Sequence, residues 1–155
     1  MAFTIISPAF SNGGTIPAKY TCEQSDLSPL LQWKNSPAGT KSFALIMDDP
    51  DAPVGIWVHW VLYNVPANET ALDEAIVPLE TLPSGVKQGV NDFGNVGYGG
   101  PCPPKGKPHH YYFKLYALDN QPVLRPKATK AELEKAMEGH ILATAQLVGI
   151  YQRGT

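Results

Sequence analysis

Apolar positions in this chain fall in short runs, separated by polar stretches rich in Pro and Gly. Ser42-Phe-Ala-Leu-Ile-Met47 reads as a buried strand, and Ile56-Trp-Val-His-Trp-Val-Leu-Tyr63 as a second. The second run is apolar on both faces, which suits a strand central in its sheet. His110-Tyr-Tyr-Phe-Lys-Leu-Tyr-Ala-Leu118 is a third. One long helix is expected. Thr129-Lys-Ala-Glu132 makes a capping box, with Leu133, Met137, Ile141 and Leu142 following at helical spacing. The helix is expected to stop near Gly149, with Ile150-Tyr-Gln-Arg153 returning as a short strand. From Asn64 to Pro101 the chain is polar and turn-rich with little periodicity. The pattern predicts a mainly β fold with a C-terminal α-helix, most simply a sandwich of two sheets.

Length and composition narrow this further. The 155 residues fit one domain, residues 1–155, with 43% hydrophobic and 17% charged positions. The 15 Pro and 14 Gly are spread along the chain and mark no linker. A net charge of −2 lacks the basic excess of a general nucleic-acid binder. No apolar run approaches the roughly 20 residues needed to span a bilayer. The N-terminus shows no basic start followed by an apolar stretch, so the expected compartment is the cytoplasm. There, Cys22 and Cys102 are expected as free thiols; a disulfide stays open for a hyperthermophile.

Two segments stand apart from ordinary core and turn. One is Asp48-Asp-Pro-Asp-Ala-Pro53, followed by Trp57-Val-His59-Trp60; the other is Gly97-Tyr-Gly-Gly-Pro-Cys-Pro-Pro-Lys-Gly106, followed by His109-His-Tyr111. Strand alternation puts Trp57, His59, Val61 and Tyr63 on one face, and His109, Tyr111, Phe113 and Leu115 on another. Side by side, the two strands would make an aromatic-walled recess with two histidines at its mouth. Glycines 97, 99 and 100 allow positive φ, and consecutive amides there could form an anion-binding nest. Asp49 makes sense beside an anion if it accepts from a histidine and stabilises the imidazolium. His110 points to the opposite face and reads as structural. Taken singly, each group has an ordinary reading as core, turn or loop; their succession does not.

Asp49-Pro-Asp-Ala-Pro53, Trp57-x-His59, Gly100-Pro-x-Pro-Pro104 and His109-x-Tyr111 together resemble the signature of the phosphatidylethanolamine-binding (Raf kinase inhibitor-like) proteins. Phe10-x-x-Gly-Gly-x-Ile-Pro17, Ser28-Pro-x-Leu-x-Trp33 and Leu147-Val-Gly-x-Tyr-x-Arg153 are similar to the bacterial and archaeal branch. The resemblance implies an antiparallel Greek-key β-sandwich with a small pocket for phosphate-like anions or a phospho-headgroup. It places Asp49, His59, His109 and Tyr111 in that pocket, with backbone from Gly100, Pro101, Cys102 and Pro103 and walls from Pro50, Trp57 and Pro101. It implies no catalytic residue, cofactor or metal. Eukaryotic members carry an extra C-terminal helix with a tyrosine near the pocket. That helix has no counterpart here, so a more open or differently built rim is expected.

The resemblance implies a regulatory binding protein, with a serine protease or a kinase as partner and a homodimer as its assembly. Asn64–Asn95 is the longest segment a protease could engage. The alternative is a phosphoester hydrolase, with His59, His109, Asp49 and Asp51 as a metal site or a His–Asp general base. No Ser or Cys sits in a recognisable nucleophile elbow, and neither a polybasic stretch nor a lipidation site argues for membrane attachment.

Overall fold

The fold is described by a computed structural model covering residues 1–154. In chain order the strands are β1 (Thr4–Ile6), β2 (Gly14–Thr15), β3 (Leu31–Lys34), β4 (Ser42–Ala52), β5 (Gly55–Pro66), β6 (Ala71–Leu72), β7 (Lys87–Gln88) and β8 (His109–Leu118). Helix α1 (Lys130–Met137) and β9 (Ile141–Tyr151) complete the chain. A three-stranded sheet in the order β1-β3-β6 lies against a six-stranded one in the order β2-β9-β8-β4-β5-β7. All strand pairs are antiparallel except β2 with β9. The mainly β, two-sheet architecture is the one expected from the sequence.

The main core lies between the sheets and includes Trp33, Phe43, Leu45, Met47, Trp60, Leu62, Phe113, Leu115 and Leu147. A smaller cluster on the far face of the large sheet joins Ala44, Ile46, Val58, Val61 and Tyr63 to Leu133 and Met137 of α1. The three strands read from sequence are present and longer than their apolar runs. The central position belongs to β4; β5 is flanked on its outer side only by the two-residue β7.

The expected long helix is half helix and half strand. Thr129 and Glu132 form the capping box as read, but α1 ends at Met137. Gly139 takes φ +77, reversing the chain, and Ile141 to Tyr151 pairs along β8. In this stretch Ala145, Leu147, Gly149 and Tyr151 are buried at a spacing of two, the period of a strand. Gly149 is therefore no helix cap. A Cβ there would come within 2.5–2.8 Å of Ile16 and Phe10, so it is the bare site that lets the N-terminal segment close on β9.

The expectation for the cysteines is also corrected. Cys22 and Cys102 form a disulfide, with Cα atoms 5.4 Å apart. Their loops are already fastened, because the Cys22 amide donates to Pro101 O at 3.1 Å. The Tyr98 hydroxyl donates to Tyr20 O at 2.7 Å, and the Gly100 amide donates to Asp26 Oδ1 at 3.0 Å. Disulfides persist in oxidising compartments and in the cytoplasm of hyperthermophiles. Among the described residues no helix is long and apolar enough to cross a membrane.

Candidate functional site: a histidine-flanked recess

At one end of the large sheet, β4, β5 and β8 open into a recess of about 250 Å³. Asp49 enters from β4, Trp57 and His59 from β5, and His109 and Tyr111 from β8; Cys102, Pro103 and Pro104 close one side. A larger concavity of about 330 Å³ lies on the small sheet, around Thr4, Gln32 and Lys34, and gathers no comparable set of groups.

A β-bulge aims His59. Met47 pairs with Trp60 and Asp48 with Val58, so one step along β4 matches two along β5. The extra residue reverses the alternation. His59 thus shares its side with Trp60 and Leu62, whereas Val58, Val61 and Tyr63 pack toward α1. The single face expected for Trp57, His59, Val61 and Tyr63 is therefore split. The face expected for β8 holds: His109, Tyr111, Phe113 and Leu115 are all buried at spacing two.

Both histidines are held by their Nδ1 atoms. His59 Nδ1 lies 2.6 Å from Gly99 O, and His109 Nδ1 lies 2.7 Å from Asp49 Oδ2. A carbonyl and a carboxylate only accept, so each Nδ1 carries the proton and each Nε2 is left for the recess. The Tyr111 ring meets His59 edge-on at 5.2 Å and stacks beside His109 at 6.4 Å. The buried Tyr111 hydroxyl has no hydrogen-bond partner. An orphaned buried hydroxyl of this kind is uncommon in a folded protein. Burial pushes its pKa well up, helped by the negative charges of Asp49 and Asp51, so it stays protonated. Burial also lowers the pKa of His59, against the opposing pull of the Gly99 carbonyl and the Asp49 charge. His59 is therefore a neutral ring near pH 7, which removes it from the two charged imidazoles expected to face an anion.

Pro50, Gly100 and Pro101 do not line the recess. Pro50 is exposed on β4. The Gly99 amide donates to His59 O at 2.9 Å and the Gly100 amide to Asp26, so these amides are already engaged and form no nest. Gly99 and Gly100 serve close packing instead, since a Cβ at either would collide with Phe93 or with Asp26 and Tyr20 O. Asp51 turns outward, accepting from both the backbone and the ring of exposed His110. That ring's hydrogen bond holds the Asp51 carboxyl below its usual range. Among the described residues no group of three or more His, Cys, Asp or Glu could hold a metal ion.

The recess also has walls that sequence reasoning missed: Ala52, Pro53, Val54 and Phe93. Phe93 meets Trp57 at 5.5 Å and His59 at 5.4 Å, edge-on in both cases. Buried Asn91 builds its loop, accepting from the Phe93 and Asn95 amides and donating to Gly97 O. Asp92 then pins the loop to β5 by taking the Val58 amide at 2.7 Å. The available signal was Phe93 itself, one of two aromatics, with Tyr98, in a polar, turn-rich stretch.

A two-sheet β-sandwich with a histidine-flanked recess at one sheet end defines the class, and comparison with known proteins places the chain within it. A model of the phosphatidylethanolamine-binding protein family matches residues 6–152. The chain is 50% identical over 146 residues to the UPF0098 protein of Methanothermobacter thermautotrophicus, covering 94% of this chain and 96% of that one. Its identity to the UPF0098 protein of Aquifex aeolicus is 49% over 151 residues, covering 96% and 88%. Among solved structures, Chlamydia trachomatis CT736, a phosphatidylethanolamine-binding protein homologue, superposes with a TM-score of 0.90 at 40% identity, covering 99% of both chains. Escherichia coli YbcL, described as a new member of the mammalian family, gives 0.91 at 36% identity, covering 99% and 100%. The chain belongs to the phosphatidylethanolamine-binding protein family.

Proposed function

We propose that this chain is a non-catalytic binding protein whose recess takes a phosphate-like anion or phospho-headgroup and thereby regulates a protein partner. The observation that carries the reading is the unpaired, buried Tyr111 hydroxyl between two imidazoles whose Nδ1 atoms are already fixed. Such a hydroxyl costs stability and is relieved by a ligand oxygen. His109 is the second imidazole of the recess. With its Nδ1–H on Asp49, a second proton on Nε2 makes it a donor to the anion, while Asp49 balances the imidazolium. The volume suits a headgroup rather than acyl chains.

The hydrolase alternative draws less support. Cys102 is in a disulfide, Asp51 is occupied by His110, and His59 Nδ1 is capped by a carbonyl. Nothing in the recess resembles an activated nucleophile. A serine protease or a kinase remains the partner class that family membership brings forward.

Tyr111→Phe tests the reading. Removing an unpaired buried hydroxyl should raise stability by about 1 kcal/mol in chemical denaturation. The same change should weaken binding of inorganic phosphate by about tenfold in calorimetric titration. Unchanged phosphate affinity in a stabilised variant would remove Tyr111 from the site and the reading with it.

A further inference from the structure

The Nδ1 atom of His59 faces Gly99 O at 2.6 Å, and a carbonyl oxygen has no hydrogen to give. The Nδ1–H is therefore fixed, and a neutral ring then presents a lone pair at Nε2. His59 lines the recess, and among the described residues no hydrogen bond is made to its Nε2. The titratable and charged groups around the ring are Asp48 and Asp49 from β4, and His109 and Tyr111 from β8. The loop spanning residues 89–104 contributes backbone carbonyls, the Phe93 ring and the wall at Cys102–Pro104. No carboxylate hydrogen-bonds to His59; Asp49 is committed to His109. His59 Nε2 is thus an acceptor set beside the Tyr111 hydroxyl, a donor, and His109, whose Nε2 donates once the ring carries a second proton.

We infer that the recess selects anions that bring a hydrogen-bond donor of their own, such as a phosphomonoester carrying one P–OH, over oxyanions that have only acceptors. This rests on the anion-binding reading above and specifies its ligand. A monoprotonated phosphate directs its P–OH to His59 Nε2 and accepts from Tyr111 and His109 through its other oxygens. Sulfate sets an oxygen lone pair against the His59 lone pair, leaving that acceptor unpaired in a buried site. A phosphodiester has no P–OH and meets the same opposition. A headgroup diester escapes it only if its ammonium supplies the donor, so free phosphomonoesters and lipid headgroups share one requirement.

The experiment compares four probes near pH 6, where a phosphomonoester is about half monoprotonated. They are inorganic phosphate, methyl phosphate, sulfate and dimethyl phosphate, each titrated calorimetrically into the intact protein. Phosphate and methyl phosphate are expected to bind about tenfold or more tightly than sulfate and dimethyl phosphate. His59→Gln should narrow that ratio, because an amide presents either a donor or an acceptor. Histidine ¹⁵N spectra of the unaltered protein give a readout independent of any variant. With phosphate bound, His59 should show a protonated Nδ1 and an unprotonated Nε2. Sulfate or dimethyl phosphate binding as tightly as methyl phosphate overturns the selectivity, as does a doubly protonated His59 in the phosphate complex. Failure of all four probes removes the anion pocket itself, which distinguishes the two failures.

Discussion

Met47, Trp60 and Phe113 stand abreast on β4, β5 and β8, fully buried on the face that meets the small sheet. One to four residues further along the same strands, that face carries Asp49, His59, Tyr111 and His109, which are buried as well. The first group is filled by side chains in contact, and its one polar atom, Trp60 Nε1, donates to Gln88 Oε1 at 2.8 Å. The second leaves the Tyr111 hydroxyl unpaired beside a cavity that both imidazoles line. Burial alone does not separate core from site here. The distinction is whether the buried polar atoms have partners within the protein.

Trp60→Ala gives the largest effect and tests the solid end. Truncating a fully buried Trp costs about 3–5 kcal/mol, and it also strips Gln88 of a partner while that amide still donates to Val77 O and Leu79 O. Urea denaturation measures the loss. A cost below about 1 kcal/mol would mean that this end is no better packed than the recess. The contrast with the stabilisation expected for Tyr111→Phe is the sharpest form of the comparison.

The disulfide comes next, because Cys102 is itself a wall of the recess. Packing holds the solid end, whereas a covalent link across 80 residues of chain helps hold this one. Replacing Cys22 and Cys102 together by Ala should cost about 2–4 kcal/mol. Equal melting of the oxidised protein and the double variant would place the wall's stability in the Tyr98, Gly100 and Cys22 hydrogen bonds instead.

The solid end has no group that titrates near neutrality, while the recess has His59. Burial lowers its pKa in the folded state below the unfolded value of about 6.5. As pH falls through that value the unfolded chain takes up the proton first. Stability is therefore lost on acidification from the unfolded pKa down to the folded one, and is fully present above pH 7. His59→Gln should flatten this part of the stability–pH curve, the smallest of the three effects. An unchanged slope would mean that other histidines carry it.

Much of this was legible in the sequence because strand alternation is local. The β8 face of His109 and Tyr111 followed from spacing alone, and the capping box at Thr129 is where its motif put it. What escaped depends on partners distant in the chain. The bulge at His59 is a mismatch of register between β4 and β5, which neither strand shows by itself. Ile141 and Leu142 fit a helical stripe, and only Gly139 with the long pairing to β8 makes them strand. The neutral state of His59 follows from its burial, which outweighs the pull of a carbonyl 40 residues away. The disulfide was set aside on an argument about compartment, which says nothing of how close two loops lie.

The central claim is that His59 and His109 offer their Nε2 atoms to one anion. Histidine ring NMR during titration with inorganic phosphate tests it most directly. The account predicts that the His59 and His109 resonances move together and saturate at one phosphate per chain, while exposed His110 and His140 stay in place. Movement of His110 and His140 alone, or shifts that never saturate, would contradict it.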